Sequence, residues 1–177
     1  LFPYTTLFRS VRGARLALAS SNRVCVVWNG SLQATPKTAG SAPLLFSRQT
    51  GDRSGFEPQR NLMGSLRHLD GGGAVAANGQ GSVFVVWHAA PAEQSSDHDS
   101  EEARGVYLTA SRDDGQTFSE PRRIDSLPRG ACACCALEAG FVGPNEIRIL
   151  YRGAEGLSER GLLELHSRDG AMTFTSR

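Results

Sequence analysis

Three cysteines crowd into four positions, Cys132, Cys134 and Cys135, in the run PRGACACC. Sulfurs this close along a chain suit two chemistries. One is a Cys132–Cys135 disulfide or a set of packed thiols. The other is a soft metal ion, Cu(I) or zinc, held by thiolates. The spacing lacks the paired Cys-x-x-Cys halves of a structural zinc site, and no nearby histidine completes a ligand set. Cys25 alternates within the apolar run VCVVW and reads as a core residue. A second group of polar residues is placed to line a pocket. His68 and Asp70 lie in RHLDGGG and Arg129 in PRGACACC, while His88 and Arg152 each directly follow an apolar run. Asn29 holds the same place after VCVVW, so these polar residues mark either a strand end in solvent or a pocket rim. The acidic run EQSSDHDSEE at 93–102 reads as a solvated loop, and its spacing matches no EF-hand calcium loop.

What positions these groups is a repeat. VCVVWNG recurs as VFVVWHA and, more loosely, as IRILYRG. Each run is β-branched and aromatic, the composition of a buried strand. Each is followed by a second apolar run, APLLFSR, GVYLTASR and GLLELHSR, and preceded by a shorter one, RLALAS, GAVAANGQG and CALEAGFVGPN. A short fourth segment closes each unit: FEPQRNL, FSEPRRID and FTSR. With the strands lettered A to D, the units span 11–63, 64–125 and 126–177. Four short antiparallel strands repeated in this way, with 20 glycines and 8 prolines to turn them, describe an all-β chain of β-propeller blades. A row of sandwiches fits less well, because each unit is short for a fold of about 100 residues.

The turn after strand C carries the sharpest local signal. In SRDDGQTF, Ser111, Asp113, Gly115, Thr117 and Phe118 form Ser-x-Asp-x-Gly-x-Thr-aromatic. Asp113 can accept backbone N–H bonds as an Asx turn does, and Gly115 supplies a positive φ. Phe118 then re-enters the sheet and can pack between blades. SRDGAMTF keeps Ser167, Asp169, Thr173 and Phe174 with its glycine one place early at Gly170. SRQTGDRSGF keeps Ser47 and Phe56, puts Gln49 where the aspartate is expected, and reads as two residues longer. This motif resembles the Asp-box, or bacterial neuraminidase repeat, of sialidase-like propellers. The resemblance implies a ring of about six blades, of which three are present, so the chain is expected to be a fragment. It also implies that the Asp-box turns lie on the face opposite the ligand pocket and serve structure.

Antiparallel order gives the A–B and C–D turns one face and the B–C and D–A loops the other. The A–B turns are tight and the B–C loops long, which favours the loop face for binding. His68, Asp70, His88, Arg129 and Arg152 all fall on it. Within the resemblance, an exo-α-sialidase would clamp a substrate carboxylate with three arginines. It would use a tyrosine nucleophile activated by glutamate and an aspartate acid/base. No such set carries over residue by residue, so the catalytic residues are unassigned. The family's early Arg-Ile-Pro segment is replaced by VRGARLALA, Tyr107 and Tyr151 sit inside expected strands, and Tyr4 lies in the opening stretch. The arrangement CACC…LYRG resembles bacterial sialidase-like propellers in which the fold does not imply activity. Two readings stand: a hydrolase of terminal sialic acids or related glycans, inactive as this piece alone, and a non-catalytic module that binds glycan or protein. Neither requires a cofactor, although the cysteine cluster offers a metal site.

Composition narrows the partners. Apolar content of 40% and charged content of 21% are those of a globular domain. The net charge of +1, without a basic cluster, argues against nucleic acid. No apolar run is long enough to span a membrane as a helix. The resemblance implies a secreted or periplasmic location and a glycan or small-molecule ligand. The opening LFPYTTLFRS fits no part of the repeat. All ten residues are the in-frame translation of CTC TTT CCC TAC ACG ACG CTC TTC CGA TCT, which looks like a short-read sequencing adapter. Residues 1–10 are therefore expected to be a disordered artefact, excluded from the fold.

Overall fold

The computed structural model describes residues 13–67, 69, 71–92, 103–125, 130–132, 134–154 and 160–177. The opening decapeptide, the acidic run, His68, Asp70 and Arg129 lie outside them. Among the described residues the chain is all-β, with a short 3₁₀ turn at Ser20–Asn22. No described helix is long and apolar enough to cross a membrane.

The first sheet orders β1 (Arg15–Leu18), β2 (Val24–Asn29), β3 (Leu44–Arg48) and β4 (Arg60–Asn61) as an antiparallel meander. The third repeats it with β10 (Glu138–Phe141), β11 (Ile147–Arg152), β12 (Leu162–Ser167) and β13 (Thr175–Ser176). The middle sheet contains β5 (Leu66–Arg67), β6 (Gly73–Ala77), β7 (Val83–Pro91), β8 (Gly105–Ser111) and β9 (Arg122–Arg123). Here β5 and β6 share one edge of β7: Gly73–Ala77 pair with Val83–Trp87, and Leu66 and Arg67 pair with Pro91 and Ala90. The strand-D segments contribute only two paired residues each, and in the first two units proline and charged residues crowd them.

The sheets stack through their apolar faces, with the inner strands β1, β6 and β10 adjacent in space. Period-two alternation decides which neighbour each side chain meets. Val83, Val85 and Trp87 of β7 join Cys25, Val27, Leu44 and Phe46 in a core between the first and second sheets. Phe84 and Val86 face the other way, against Ile147, Ile149 and Tyr151 of the third sheet. A central strand buried on both faces is what makes VFVVWHAA a continuous apolar run. Cys25 sits in the first core as expected, and burial, with Asp114 nearby, pushes its thiol pKa up to about 11.

The C–D turns are closed by their own side chains. Ser111 Oγ donates to Asp113 Oδ1 (2.7 Å) and accepts from the Gly115 amide (2.8 Å). Thr117 donates its amide and its hydroxyl to Asp113 at 2.9 and 2.5 Å. Asp169 repeats the scheme with Ser167 and Thr173. The displaced glycine has a simple account. Both central turn positions are left-handed, Asp114 and Gly115 at φ 65° and 80°, Gly170 and Ala171 at φ 69° and 67°. Glycine fills the second position in one turn and the first in the other. Phe118 packs edge-on against Phe46 of the first sheet at 4.8 Å, so this turn aromatic does bridge sheets.

The first unit needs a correction. Gln49, not Ser47, pairs with Val24 at the start of strand B, its amide donating to the Val24 carbonyl. Ser47 instead pairs with Val26 and donates to Glu57 O, the part Thr109 plays toward Ser119 O in the second unit. The turn Gln49–Phe56 is therefore no longer than the others; it lacks the serine and aspartate that close them. Asp52 closes it, accepting from Thr50 Oγ1 and the Ser54 amide and hydroxyl. Those bonds hold the Asp52 carboxyl down to about 2.

Hydrogen bonds from Thr173 and Ser167 hold the Asp169 carboxyl well below the usual carboxylate range. Burial opposes ionisation of Asp113, but its bonds from Thr117 and Ser111 win and lower it likewise. Carboxyls depressed on folding add stability that is full above the unfolded carboxylate pKa of about 4. That stability is lost as pH falls through the lower folded values. The melting temperature should therefore drop on acidification below about pH 4, and the drop should be smaller in Asp169→Asn. An unchanged acid dependence in that variant would remove this role for the turn.

Candidate functional site on the loop face

The C–D turns and the A–B turns share one end of the molecule, with Asp114 N bonded to Gly81 O and Gly170 N to Asn145 O, both at 2.8 Å. The C-terminal ends of β7 and β11 point to the opposite end, where His88, Arg152 and the cysteine cluster meet. His88 departs from expectation: it does not end its strand in solvent. It lies within β7, pairs with Val106 and is 1% exposed. The two alanines after it continue the buried run and find partners in Gly105 and Arg67. His88 Nε2 lies 2.9 Å from the Cys135 carbonyl oxygen, so it ties the middle sheet to the segment entering the third.

Gly71 makes that approach possible. A Cβ there would stand 2.4 Å from the Cys135 carbonyl and 2.5 Å from the His88 ring. The D–A segment of the second unit is thus pressed directly onto this junction.

The three sulfurs converge without a disulfide. Cys132 Sγ lies 3.0 Å from Cys135 Sγ and 3.6 Å from Cys134 Sγ, and the last two are 4.0 Å apart. A disulfide would bring two of them to about 2.05 Å. Cys132 is buried, Cys135 half-buried and Cys134 exposed. Two guanidiniums flank them: Arg160 Nη1 donates to Cys132 Sγ at 3.4 Å and Arg152 Nη1 to Cys135 Sγ at 3.7 Å. Burial disfavours a Cys135 thiolate, yet the bonds from Cys132 and Arg152 prevail and lower its pKa. Arg152 also donates from Nε to the Arg160 carbonyl at 3.2 Å, which joins the end of β11 to the loop before β12.

A second ionic group lies at the outer side of this face. Arg123 grips Asp125 with two bonds, Nε–Oδ1 at 2.9 Å and Nη2–Oδ2 at 2.8 Å. Asp125 Oδ1 also accepts from the Val106 amide at 2.9 Å. The Asp125 side chain is 1% exposed and that of Arg123 is 41% exposed. Gly105 leaves room for the pair, since a Cβ there would stand 2.5 Å from Arg123 Nε.

Of the residues singled out from the sequence, the structure brings His88, Arg152, Cys132, Cys134 and Cys135 together. His68, Asp70 and Arg129 lie outside the described residues. Tyr107 and Tyr151 are core residues, 6% and 2% exposed. Arg160, Gly71 and the Arg123–Asp125 pair were not foreseen. In a chain whose basic residues are almost all arginine, no single arginine stands out, and Gly71 sits in a run of three glycines.

No family model matches the chain, and no curated protein matches it in sequence. Its fold is similar to that of the Hadza microbial sialidase Hz136, with a TM-score of 0.67 at 15% identity over 96% of this chain. It is also similar to Trypanosoma rangeli sialidase, with a TM-score of 0.61 at 10% identity over 94% of this chain. A leech intramolecular trans-sialidase, complexed with 2,7-anhydro-Neu5Ac, gives 0.59 at 9% identity over 93%. The chain spans 38%, 30% and 43% of those three proteins. The likeness is one of fold: an all-β arrangement of sialidase-propeller type.

Proposed function

We propose that this chain is part of a sialidase-like propeller that receives the acidic end of a glycan on its loop face, with a terminal sialic acid as the sugar of that class. Arg152 carries this reading. It places an exposed guanidinium at the end of β11 beside Arg160, on the face away from the Asp-box turns. A guanidinium is the side chain best suited to grip a carboxylate. The likeness in fold to two sialidases and a trans-sialidase supports the same ligand class.

The described segment binds without hydrolysing. The observation favouring this is the burial of Tyr107 and Tyr151 in the inter-sheet cores, which leaves neither as an open nucleophile. In a longer protein, exo-α-sialidase activity would draw on groups beyond those described. The outer faces of the first and third sheets, with Leu16, Phe56 and Leu162 exposed, support further blades on either side. The same reading places the protein outside the cytoplasm, secreted or periplasmic.

Calorimetric titration tests the ligand class. The chain should bind 3′-sialyllactose and not lactose, and Arg152→Ala should weaken binding at least about tenfold through loss of a charge-assisted bond. Equal affinity for both sugars would refute an acidic ligand. Turnover of a fluorogenic sialoside by this chain would replace the binding reading with the hydrolase.

A further inference from the structure

We propose that Cys132, Cys134 and Cys135 form a three-coordinate thiolate site for a monovalent copper ion. The argument rests on the sulfur geometry, and it shares Arg152 and Arg160 with the glycan reading. The sulfurs form a triangle with sides of 3.0, 3.6 and 4.0 Å. The point equidistant from its corners lies about 2.1 Å from each sulfur, close to the ~2.3 Å of a zinc–thiolate bond, so one ion in the sulfur plane contacts all three. A disulfide would use two sulfurs and leave the convergence of the third without a purpose.

Two features select Cu(I) over zinc. Soft thiolate ligands favour both ions, but structural zinc sites almost always take four protein ligands. Among the described residues no further His, Cys, Asp or Glu joins the group. Charge points the same way. Three thiolates and one monovalent ion leave two negative charges, and Arg152 and Arg160 supply two positive ones directly at Cys135 and Cys132. Finally, the site has one buried and one open side, Cys132 and Cys134. An ion can therefore enter at Cys134 and be held at Cys132. Binding displaces the thiol protons to solvent and involves no change of oxidation state.

The test is an anaerobic titration of the reduced chain with Cu(I) against a chromophoric Cu(I) chelator, with X-ray absorption on the loaded protein. One equivalent bound with three sulfur neighbours is expected. Cys134→Ser should weaken binding at least tenfold without moving the melting temperature of the metal-free chain, because that residue is exposed. Cys25→Ser, in the distant core, should leave the stoichiometry unchanged wherever it folds. A site that binds no copper, prefers zinc, or shows two sulfur neighbours in both the parent and Cys134→Ser would overturn the proposal.

Discussion

Replacing Arg123 with alanine should cost about 3 kcal/mol of folding stability, more than replacing its partner Asp125. The reason is an asymmetry in burial. Asp125 is 1% exposed and Arg123 41%. Without Arg123, the carboxylate stays buried with the Val106 amide as its one remaining described donor. A buried charge that loses its partner is among the costlier single defects. Without Asp125, the guanidinium turns to water and the main loss is the acceptor for Val106 N, about 1–2 kcal/mol. Urea unfolding of both variants measures the order. A larger loss in Asp125→Ala would show that the pair is held by something other than the desolvated carboxylate. The total stability of a domain is only about 5–15 kcal/mol, so the Arg123 variant should melt visibly earlier.

Gly71→Ala should be at least as damaging, with a loss of about 3 kcal/mol, the upper end for overpacking. Its methyl group would enter the space of the Cys135 carbonyl and the His88 ring, at 2.4 and 2.5 Å. Neither obstacle moves cheaply. One is backbone, and the other is a ring buried in β7 and bound to that same carbonyl. Gly79 provides the control, since nothing lies within 4 Å of a Cβ placed there. Gly79→Ala should change stability by no more than about 0.5 kcal/mol. If both variants melt alike, the close approach at Gly71 is not what holds the loop face together.

These two positions show where the sequence stops being legible. Strands B and C were readable because burial on both faces writes itself as VFVVW and GVYLT. The C–D turns were readable because their hydrogen bonds are local, with Ser111, Asp113 and Thr117 meeting within seven residues. Gly71, Arg160 and Asp125 owe their roles to groups distant in the chain or to burial, and no local pattern marks either. The strand β5 is illegible for a related reason: it is two residues long, Leu66 and Arg67, and its partner is the end of β7 beyond His88. The same continuation of β7 puts His88 inside the strand rather than at its end. The register error in the first unit arose because Ser47-Arg48 repeats the Ser-Arg of the other units while its pairing partner is Val26.

The pocket-face assignments were legible only as a choice of face. Antiparallel order placed His88, Arg152 and the cysteines at one end, and the structure joins them through the Cys135 carbonyl and the arginine–sulfur contacts. That these contacts are mutual could not be read from a sequence in which Cys135 and Arg152 stand 17 positions apart.

The direct test of the loop face as the ligand side is an amide chemical-shift titration with 3′-sialyllactose. Shifts are expected at Gly71, His88, Cys135, Arg152 and Arg160, with the turn residues from Asp113 to Thr117 and from Asp169 to Thr173 unmoved. Shifts confined to those C–D turns, or no shift at any residue at millimolar sugar, would contradict it.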